Sequence, residues 1–347
     1  MTVEIRDTVV AVTGGCGFLG SHLCDHLIED RGCRVVCIDN LCAGRREFLH
    51  PDAVFVYADI TQSEEYLRKV FVTHGVRFVM SYAAHPYVPD SYARPSQVCN
   101  VNFHGAMNVI NAAESAGAAG ILQVSSAEVY GTGKKSHYVY GEDPEKINES
   151  DPVTPHSTYG ASKAAIDFYC QCRWREARTP VVALRQFNCL GERETHPYVV
   201  PEILGQLSKQ VTFGKYTPGG WPQAGVVRLG NNSSRDFLYA KDAVRSAVLL
   251  LERSVQERKF GEVYNLGSES SIKVYDLARL VGKVMGFDEV VVEEEGSRKR
   301  AWEIWSLTSD NSKINALIGK QPVTPLDEAI RRTVADYKAR GGKWCWE

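Results

Sequence analysis

Two short stretches of this 347-residue chain hold side chains at spacings that can move protons. Tyr159-Gly160-Ala161-Ser162-Lys163 sets a phenol and an ammonium group four residues apart, which on a helix is one turn and one face. A cation so placed lowers the phenol pKa and makes Tyr159 a usable base near neutral pH, although the same spacing also arises as two solvent-facing residues. The second stretch, Val124-Ser125-Ser126-Ala127-Glu128-Val129-Tyr130-Gly131, ends an apolar run with the Ser126 hydroxyl and the Glu128 carboxylate. Glu128 suits either proton removal from carbon or a structural ion pair.

A third stretch is built to receive a dinucleotide. Thr13-Gly14-Gly15-Cys16-Gly17-Phe18-Leu19-Gly20-Ser21 is a G-x-x-G-x-x-G turn that follows one apolar run and opens the next helical one. Gly14, Gly17 and Gly20 let the backbone approach a pyrophosphate, and the helix start around Phe18 and Leu19 offers N–H groups and a positive dipole end. Asp39, 19 residues beyond Gly20 and followed by Asn40, ends the second β-branched run, where an acid accepts both ribose hydroxyls and favours NAD over NADP. Arg45 and Arg46 can reach a 2′-phosphate or stand solvated. Asp59-Ile60 ends the third run, where it flanks an adenine or caps a helix.

These residues need strands that deliver them to one edge and helices that orient them. Up to Asn188 the chain alternates β-branched runs with helical stretches, which predicts an α/β fold with a doubly wound parallel sheet of Rossmann type. Strands are expected at Thr8–Thr13, Arg34–Ile38, Ala53–Tyr57, Arg77–Met80, Ile121–Ser125 and Val181–Phe187. Helices are expected at Phe18–Glu29, Ser63–Thr73, Pro95–Ser115 and Tyr159–Arg178. After Asn188 the pattern breaks into Gly- and Pro-rich stretches, notably Gly214–Gly225. The segment Arg235–Glu252 reads again as helix and Glu262–Leu266 as strand. The expected division is a cofactor domain over 1–188 with 236–266 returning to it, and a smaller substrate-binding lobe over 189–235 and 267–347.

Composition narrows the function classes. The net charge of −2, with Lys and Arg scattered along the chain, supplies no basic field for nucleic acid. No apolar run is long enough for a membrane helix and the first residues lack a signal-peptide pattern, so the expected location is cytoplasmic, with no membrane partner. The ten cysteines show no paired C-x-x-C spacing, which predicts reduced, mostly buried thiols and no metal site.

Taken together, the glycine turn, Asp39, Ser126 and the Y-x-x-x-K pair resemble the extended short-chain dehydrogenase/reductases over nearly the whole chain. Ala83-Ala84, Pro95 and Asn102-Phe103-His104-Gly105 resemble the family's segments around the nicotinamide. Leu184-Arg185-Gln186-Phe187-Asn188, Arg235-Asp236-Phe237-Leu238-Tyr239 and Tyr264-Asn265-Leu266-Gly267 are similar to it as well. The resemblance implies a Ser126, Tyr159 and Lys163 triad acting on a sugar hydroxyl, with NAD held by Tyr159 and Lys163 and by Ala83, Ala84 and Asn102. It implies a nucleotide-sugar substrate whose diphosphate meets Asn188, Arg235 and either Arg298 or Arg300, Arg being suited by its planar fork. It also implies a homodimer through Pro95–Ser115 and Tyr159–Arg178.

Within that family, sugar-nucleotide 4,6-dehydratases resemble Thr-Asp-Glu or Thr-Ser-Glu where this chain has Ser126-Ala127-Glu128. The combination of base and triad favours elimination of water, with the proton donor to the leaving hydroxyl left open by Ala127. The stretches Glu194–Val199 and Val227–Asp242 look more like GDP-mannose 4,6-dehydratases than dTDP-glucose enzymes, while Asp39 departs from the NADP-binding pattern common among the former. About ten extra residues before Glu149, with Lys134, Lys135, His137, Tyr138 and Tyr140, are either an insertion at the active-site mouth or a neutral surface loop. The expected activity is an NAD-dependent dehydratase of a GDP-sugar. An epimerase on the same scaffold is the alternative, and a non-catalytic NAD sensor the remote one.

Overall fold

A computed structural model describes residues 4–132, 145–195, 197–212, 224–300 and 302–341. Lys134, Lys135, His137, Tyr138 and Tyr140 lie outside the described residues, as does most of Gly214–Gly225.

The β-branched runs form strands within one or two residues of the expected limits: β1 Val9–Thr13, β2 Arg34–Asp39, β3 Val54–Tyr57, β4 Phe78–Ser81, β5 Gly120–Ser126 and β6 Val181–Gln186. After β7 Asn188–Leu190, β8 Ala224–Leu229 and β9 Ser234–Tyr239, strand β10 Val263–Leu266 returns to them. The resulting seven-stranded sheet has the order β10-β6-β5-β4-β1-β2-β3. Every pairing in it is parallel. β4, β5 and β6 are buried along their whole length, as expected of strands covered on both faces. The chain runs outward from β1 through β2 to β3 and then crosses back to β4 on the other side of β1. That reversal opens a crevice beyond the C-terminal ends of β1 and β4, where open α/β sheets bind ligands.

The helices follow local signals. Ser63 accepts the Tyr66 N–H to start Glu64–His74, and Gly75 ends it in the left-handed region. Ser157 accepts the Gly160 N–H to start Thr158–Ala177, the helix that carries Tyr159 and Lys163. The expected helix Pro95–Ser115 is not regular: between Pro95–Cys99 and Ala106–Ser115 it widens over Asn100–Gly105. The wide turn lets Asn102 face inward and brings Gly105 against Ile60, whose Cγ1 would stand 2.7 Å from a Cβ at that glycine.

A second element differs from the sequence pattern. The first residues of Arg235–Glu252 are not helix; Ser234–Tyr239 is β9, buried on both faces and paired with β7, β13 Ser306–Leu307 and β11 Ser271–Lys273. Helix starts only at Ala240 and runs to Glu257. Burial of Asp236 explains the strand, since its carboxylate accepts the N–H groups of Ser268, Glu269 and Ser309 at 2.6, 3.1 and 3.0 Å. Helix Ala240–Glu257 then joins Phe18–Asp25 in one core cluster, through Val244, Val248 and Leu251 beside Leu23 and Leu27.

A second body of apolar packing lies around helices Val199–Thr212, Val274–Met285 and Leu326–Ala339, with Leu204, Leu207, Leu277, Val281, Ile330 and Val334 at its centre. The two-stranded sheet of β8 and β12 Glu289–Glu294 flanks it. The two bodies meet at Phe48, whose ring has the Arg193 guanidinium 6.0 Å from its centroid and that of Arg340 at 4.7 Å. Among the described residues, no helix is long and apolar enough to cross a membrane, and nine cysteines are free thiols. Five of these are buried, while Cys42 and Cys172 are exposed.

Candidate active site

The glycine turn sits at the C-terminal end of β1, on the crevice. Gly14 has a φ of +71°, and a Cβ there would stand 2.8 Å from the Ala83 nitrogen at the end of β4. At Gly20 a Cβ would stand 2.0 Å from the Gly14 carbonyl oxygen, so the helix can lie this close to the turn only with glycine. Gly17 precedes helix Phe18–Asp25 with no side-chain cap, which leaves the N–H groups at that end for a ligand.

Asp39 closes the other side of the crevice. Its carboxylate accepts the N–H groups of Cys16 at 3.0 Å and Leu41 at 2.7 Å. Burial pushes its pKa up, opposed by those two bonds. A Cβ at Gly44 would stand 2.8 Å from Asp39 Oδ1, so the covering loop also needs glycine beside this acid. Asn40 donates to Asp59 at 2.8 Å, and Thr61 donates to the same carboxylate through its N–H and hydroxyl. Burial raises the Asp59 pKa, but these donors outweigh it and hold the group below its ordinary value. Arg46 lies over the Phe55 ring at 3.9 Å, which commits its guanidinium to stacking. Ile60 is buried in a core cluster, with its Cγ1 against Gly105.

Ala83 donates its N–H to Thr13 Oγ1 at 3.2 Å, and Ala84 follows in the same turn. Asn102, expected on the cofactor, makes three hydrogen bonds through its side-chain amide. Oδ1 accepts the His85 N–H at 2.6 Å, while Nδ2 donates to the His85 carbonyl at 3.1 Å and to Ser162 Oγ at 3.2 Å. It braces the turn after β4 against helix Thr158–Ala177.

Ser126, Glu128, Tyr159 and Lys163 converge where β5 ends. Ser126 Oγ accepts the Glu128 N–H at 3.2 Å and starts a short turn over Ala127–Tyr130. The Tyr159 phenol is pushed up to about 12, by burial first and by the nearby Glu128 charge, while the Ser126 hydroxyl bonded to it acts in the opposite sense. Lys163 does not act on the phenol as its spacing suggests. Its Nζ donates to the Val124 carbonyl at 3.1 Å, and burial brings its pKa down to about 8, with Asp167 opposing. The strand end has captured the ammonium group. Glu128 Oε2 is buried with no hydrogen-bond partner.

Behind this row runs a polar network that the sequence reading missed. Arg185 Nε donates to Asp167 at 2.8 Å and Nη1 donates to the Tyr130 hydroxyl at 2.9 Å, and that hydroxyl donates to Asn265 Oδ1 at 2.7 Å. Asp167 stands four residues beyond Lys163, a helical spacing that could have flagged it.

The side expected to take a diphosphate is partly self-neutralised. Arg235 is 7% exposed and gives Nη2 to Glu303 at 2.6 Å and Nη1 to the Ile304 and Ser234 carbonyls, rather than offering an open fork. Arg298 is paired with Glu295 and Glu202 at 2.6 and 2.8 Å. Arg300 is held by its backbone N–H on Asn231, and its charge reaches Tyr92 together with those of Glu128 and Glu303. Asn188 is exposed at the start of β7.

The glycine cradle at Gly14 and Gly20, the uncapped helix start and the buried Asp39 fit a dinucleotide. A family model for the NAD dependent epimerase/dehydratase family matches residues 10–267. The chain is 28% identical to a dTDP-D-glucose 4,6-dehydratase of Mus musculus over 347 aligned positions, covering 96% of this chain and 90% of that one. It is 27% identical to a putative UDP-glucose 4-epimerase of Methanocaldococcus jannaschii, with 94% and 97% covered. Its fold superposes on a Streptomyces venezuelae dTDP-glucose 4,6-dehydratase crystallised with NAD at a TM-score of 0.82 and 25% identity, over 97% of this chain and 99% of that one. The UDP-glucose 4-epimerase of Thermotoga maritima, solved with UDP-glucose, gives 0.81 and 26%, over 96% and 99%. With its cradle, its acid at the end of β2 and its Tyr159 and Lys163 helix, the chain belongs to the NAD dependent epimerase/dehydratase family, and its cofactor is NAD.

Proposed function

We propose that the chain is a nucleotide-sugar dehydratase that oxidises C4 of a hexose and eliminates water across C5 and C6. The observation that supports elimination is Glu128, a carboxylate in the electrostatic reach of Tyr159 with one oxygen buried and unpartnered. NAD, held by the glycine turn and Asp39, would supply reversible hydride acceptance for the oxidation at C4 and the reduction at C6. Tyr159 takes the C4 hydroxyl proton, and the Ser126 hydroxyl hydrogen-bonded to the phenol favours its ionised form against the burial that pushes its pKa up. The resulting ketone acidifies C5–H, and Glu128 removes that proton. Lys163, fixed on the Val124 carbonyl, holds the helix face that carries Tyr159. Asn188 and Arg300 take the diphosphate, with Arg235 and Arg298 joining it only by leaving their carboxylate partners.

The GDP-sugar preference rests on the stretches Glu194–Val199 and Val227–Asp242, whereas the relatives carry dTDP and UDP names. Purified protein incubated with GDP-, UDP-, CDP- and dTDP-sugars tests both points: mass loss of one water marks dehydration, and an isobaric product identified by NMR marks an epimerase instead. The epimerase names among the relatives favour that second reading, on the same triad. The nine free thiols among the described residues accord with a cytoplasmic enzyme. A homodimer through helices Pro95–Ser115 and Thr158–Ala177 is supported by Phe168, 52% exposed in mid-helix, and sedimentation at micromolar concentration checks it.

A further inference from the structure

Glu128 Oε2 is buried without a hydrogen-bond partner among the described residues, so that oxygen is aimed by packing and by the backbone that carries it. A base that takes a proton from carbon must stand within reach of that proton, and a displacement of about 1 Å can cost ~100-fold in rate. Whatever fixes the turn Ala127–Tyr130 therefore fixes the base.

The backbone of that turn is held along its length. At its start Ser126 Oγ accepts the Glu128 N–H at 3.2 Å. In its middle the Glu128 carbonyl oxygen lies against Gly160, the residue after Tyr159, where a Cβ would stand 2.7 Å from it. At its end Thr154 Oγ1 donates to the Tyr130 carbonyl at 2.7 Å. A Cβ at Gly131, whose φ is +56°, would stand 1.8 Å from the Thr154 carbonyl oxygen, so the chain can leave the turn this way only with glycine. Ala127, Val129 and Tyr130 share an apolar cluster with Ala164, the residue after Lys163. The turn is thus docked on the start of the helix that presents Tyr159.

The Tyr130 side chain ties this turn to two strands. Its hydroxyl accepts from Arg185 Nη1 of β6 at 2.9 Å and donates to Asn265 Oδ1 of β10 at 2.7 Å, and the guanidinium also lies 4.8 Å from the ring centroid. Both partners are fixed in turn, Arg185 on Asp167 at 2.8 Å and Asn265 on the Ile147 carbonyl at 2.9 Å. All three side chains are buried. Burial pushes the phenol up to about 12, which keeps it a neutral donor rather than a base. Losing the hydroxyl would leave a buried guanidinium arm and a buried amide oxygen short of a partner, and the turn free to shift.

We propose that Tyr130 is a positioning residue for Glu128: its hydroxyl, held between β6 and β10, keeps the turn against Gly160 so that the carboxylate reaches C5 of a sugar whose C4 hydroxyl is at Tyr159. This rests on the dehydratase reading above. Tyr130 acts through the backbone of Val129 and Glu128 rather than at the reacting atoms. Oxidation at C4 does not need this tie, because Tyr159 is carried by helix Thr158–Ala177, whose start is capped separately by Ser157 Oγ on the Gly160 N–H at 3.0 Å. Elimination does need it. The two steps should therefore separate in a Tyr130 variant.

Tyr130→Phe keeps the ring and removes the hydroxyl. The test is a single turnover of the holoenzyme in deuterated water, with whichever of the GDP-, UDP-, CDP- and dTDP-sugars the wild type dehydrates. Reduced nicotinamide should appear within about 3-fold of the wild-type rate, while water loss and incorporation of label at C5 slow by roughly 10–100-fold. Both steps slowed by one factor, as a general loss of structure would give, or neither step slowed, overturns the positioning role and leaves the dehydratase reading standing. If Tyr130→Phe fails to fold, Thr154→Val, which removes the bond to the Tyr130 carbonyl, decides by the same ratio. A wild type that dehydrates none of these sugars overturns the dehydratase reading, and this role with it.

Discussion

Arg185 and Asp167 form an ion pair at 2.8 Å with side chains 4% and 0% exposed, joining strand β6 to helix Thr158–Ala177 one turn beyond Lys163. The pair is enclosed by Tyr130, which takes the second arm of the guanidinium. Burial raises the Asp167 pKa, and the charge and hydrogen bond of Arg185 oppose that rise more than any other neighbour does. Removing one partner leaves the other charged in a dry interior. Asp167→Ala should therefore destabilise the fold by about 3–5 kcal/mol in urea denaturation, far beyond the effect of an exposed ion pair.

This network shows what the sequence reveals and what it hides. Strand positions are legible because runs such as Val-Val-Ala-Val-Thr are buried on both faces and must be continuous. The turn glycines, Asp39, Tyr159 and Lys163 are legible because each has a local spacing. Asp167 and Arg185 are 18 residues apart and meet only when β6 lies beside the helix, and Glu303 meets Arg235 across 68. The misread start of Arg235–Glu252 has the same origin: Asp236 is satisfied by Ser268, Glu269 and Ser309, which no local window contains. The triad spacing predicts that Lys163 activates Tyr159, but a backbone carbonyl competes for the ammonium group.

Asp39 holds two backbone N–H groups and retains lone pairs for ribose hydroxyls. Asp39→Ala should weaken NAD binding by about 1.5–3 kcal/mol, or roughly 10–150-fold, measured by calorimetry. Unchanged affinity would mean that the ribose is held elsewhere.

Glu128→Gln removes a charge and keeps the shape. The variant should still oxidise C4 but lose product formation by at least ~100-fold, and in deuterated water the wild type alone should incorporate label at C5. Tyr159→Phe should fail earlier, with no reduced nicotinamide formed. Product at the wild-type rate from Glu128→Gln would make that residue structural and move the epimerase reading ahead.

Lys163 titrates in the folded protein near 8, below its ordinary lysine value, with burial as the main cause. Between those two pH values the unfolded chain binds more protons than the folded one, so this group makes stability rise with pH there. Below the lower value both states are protonated and the penalty for the buried charge is constant. Lys163→Met should therefore be more stable than the wild type near neutral pH, with the advantage shrinking as pH rises above about 8. Urea denaturation of both proteins across that range measures it, and a constant gap would show that the ammonium group is not desolvated.

Phe48, clasped between Arg193 and Arg340, makes the last helix a reporter on the first ligand. It lies in the loop that leaves Asp39, while Asp336 of helix Leu326–Ala339 holds Arg193 through its N–H and Arg340 through its guanidinium. Amide hydrogens of that helix should exchange more slowly once the dinucleotide quiets the loop, although they are remote in sequence from the glycine turn. Reciprocity then requires that a shortened C-terminus loosen the cofactor, so that trimming the chain at one end alters affinity at the other.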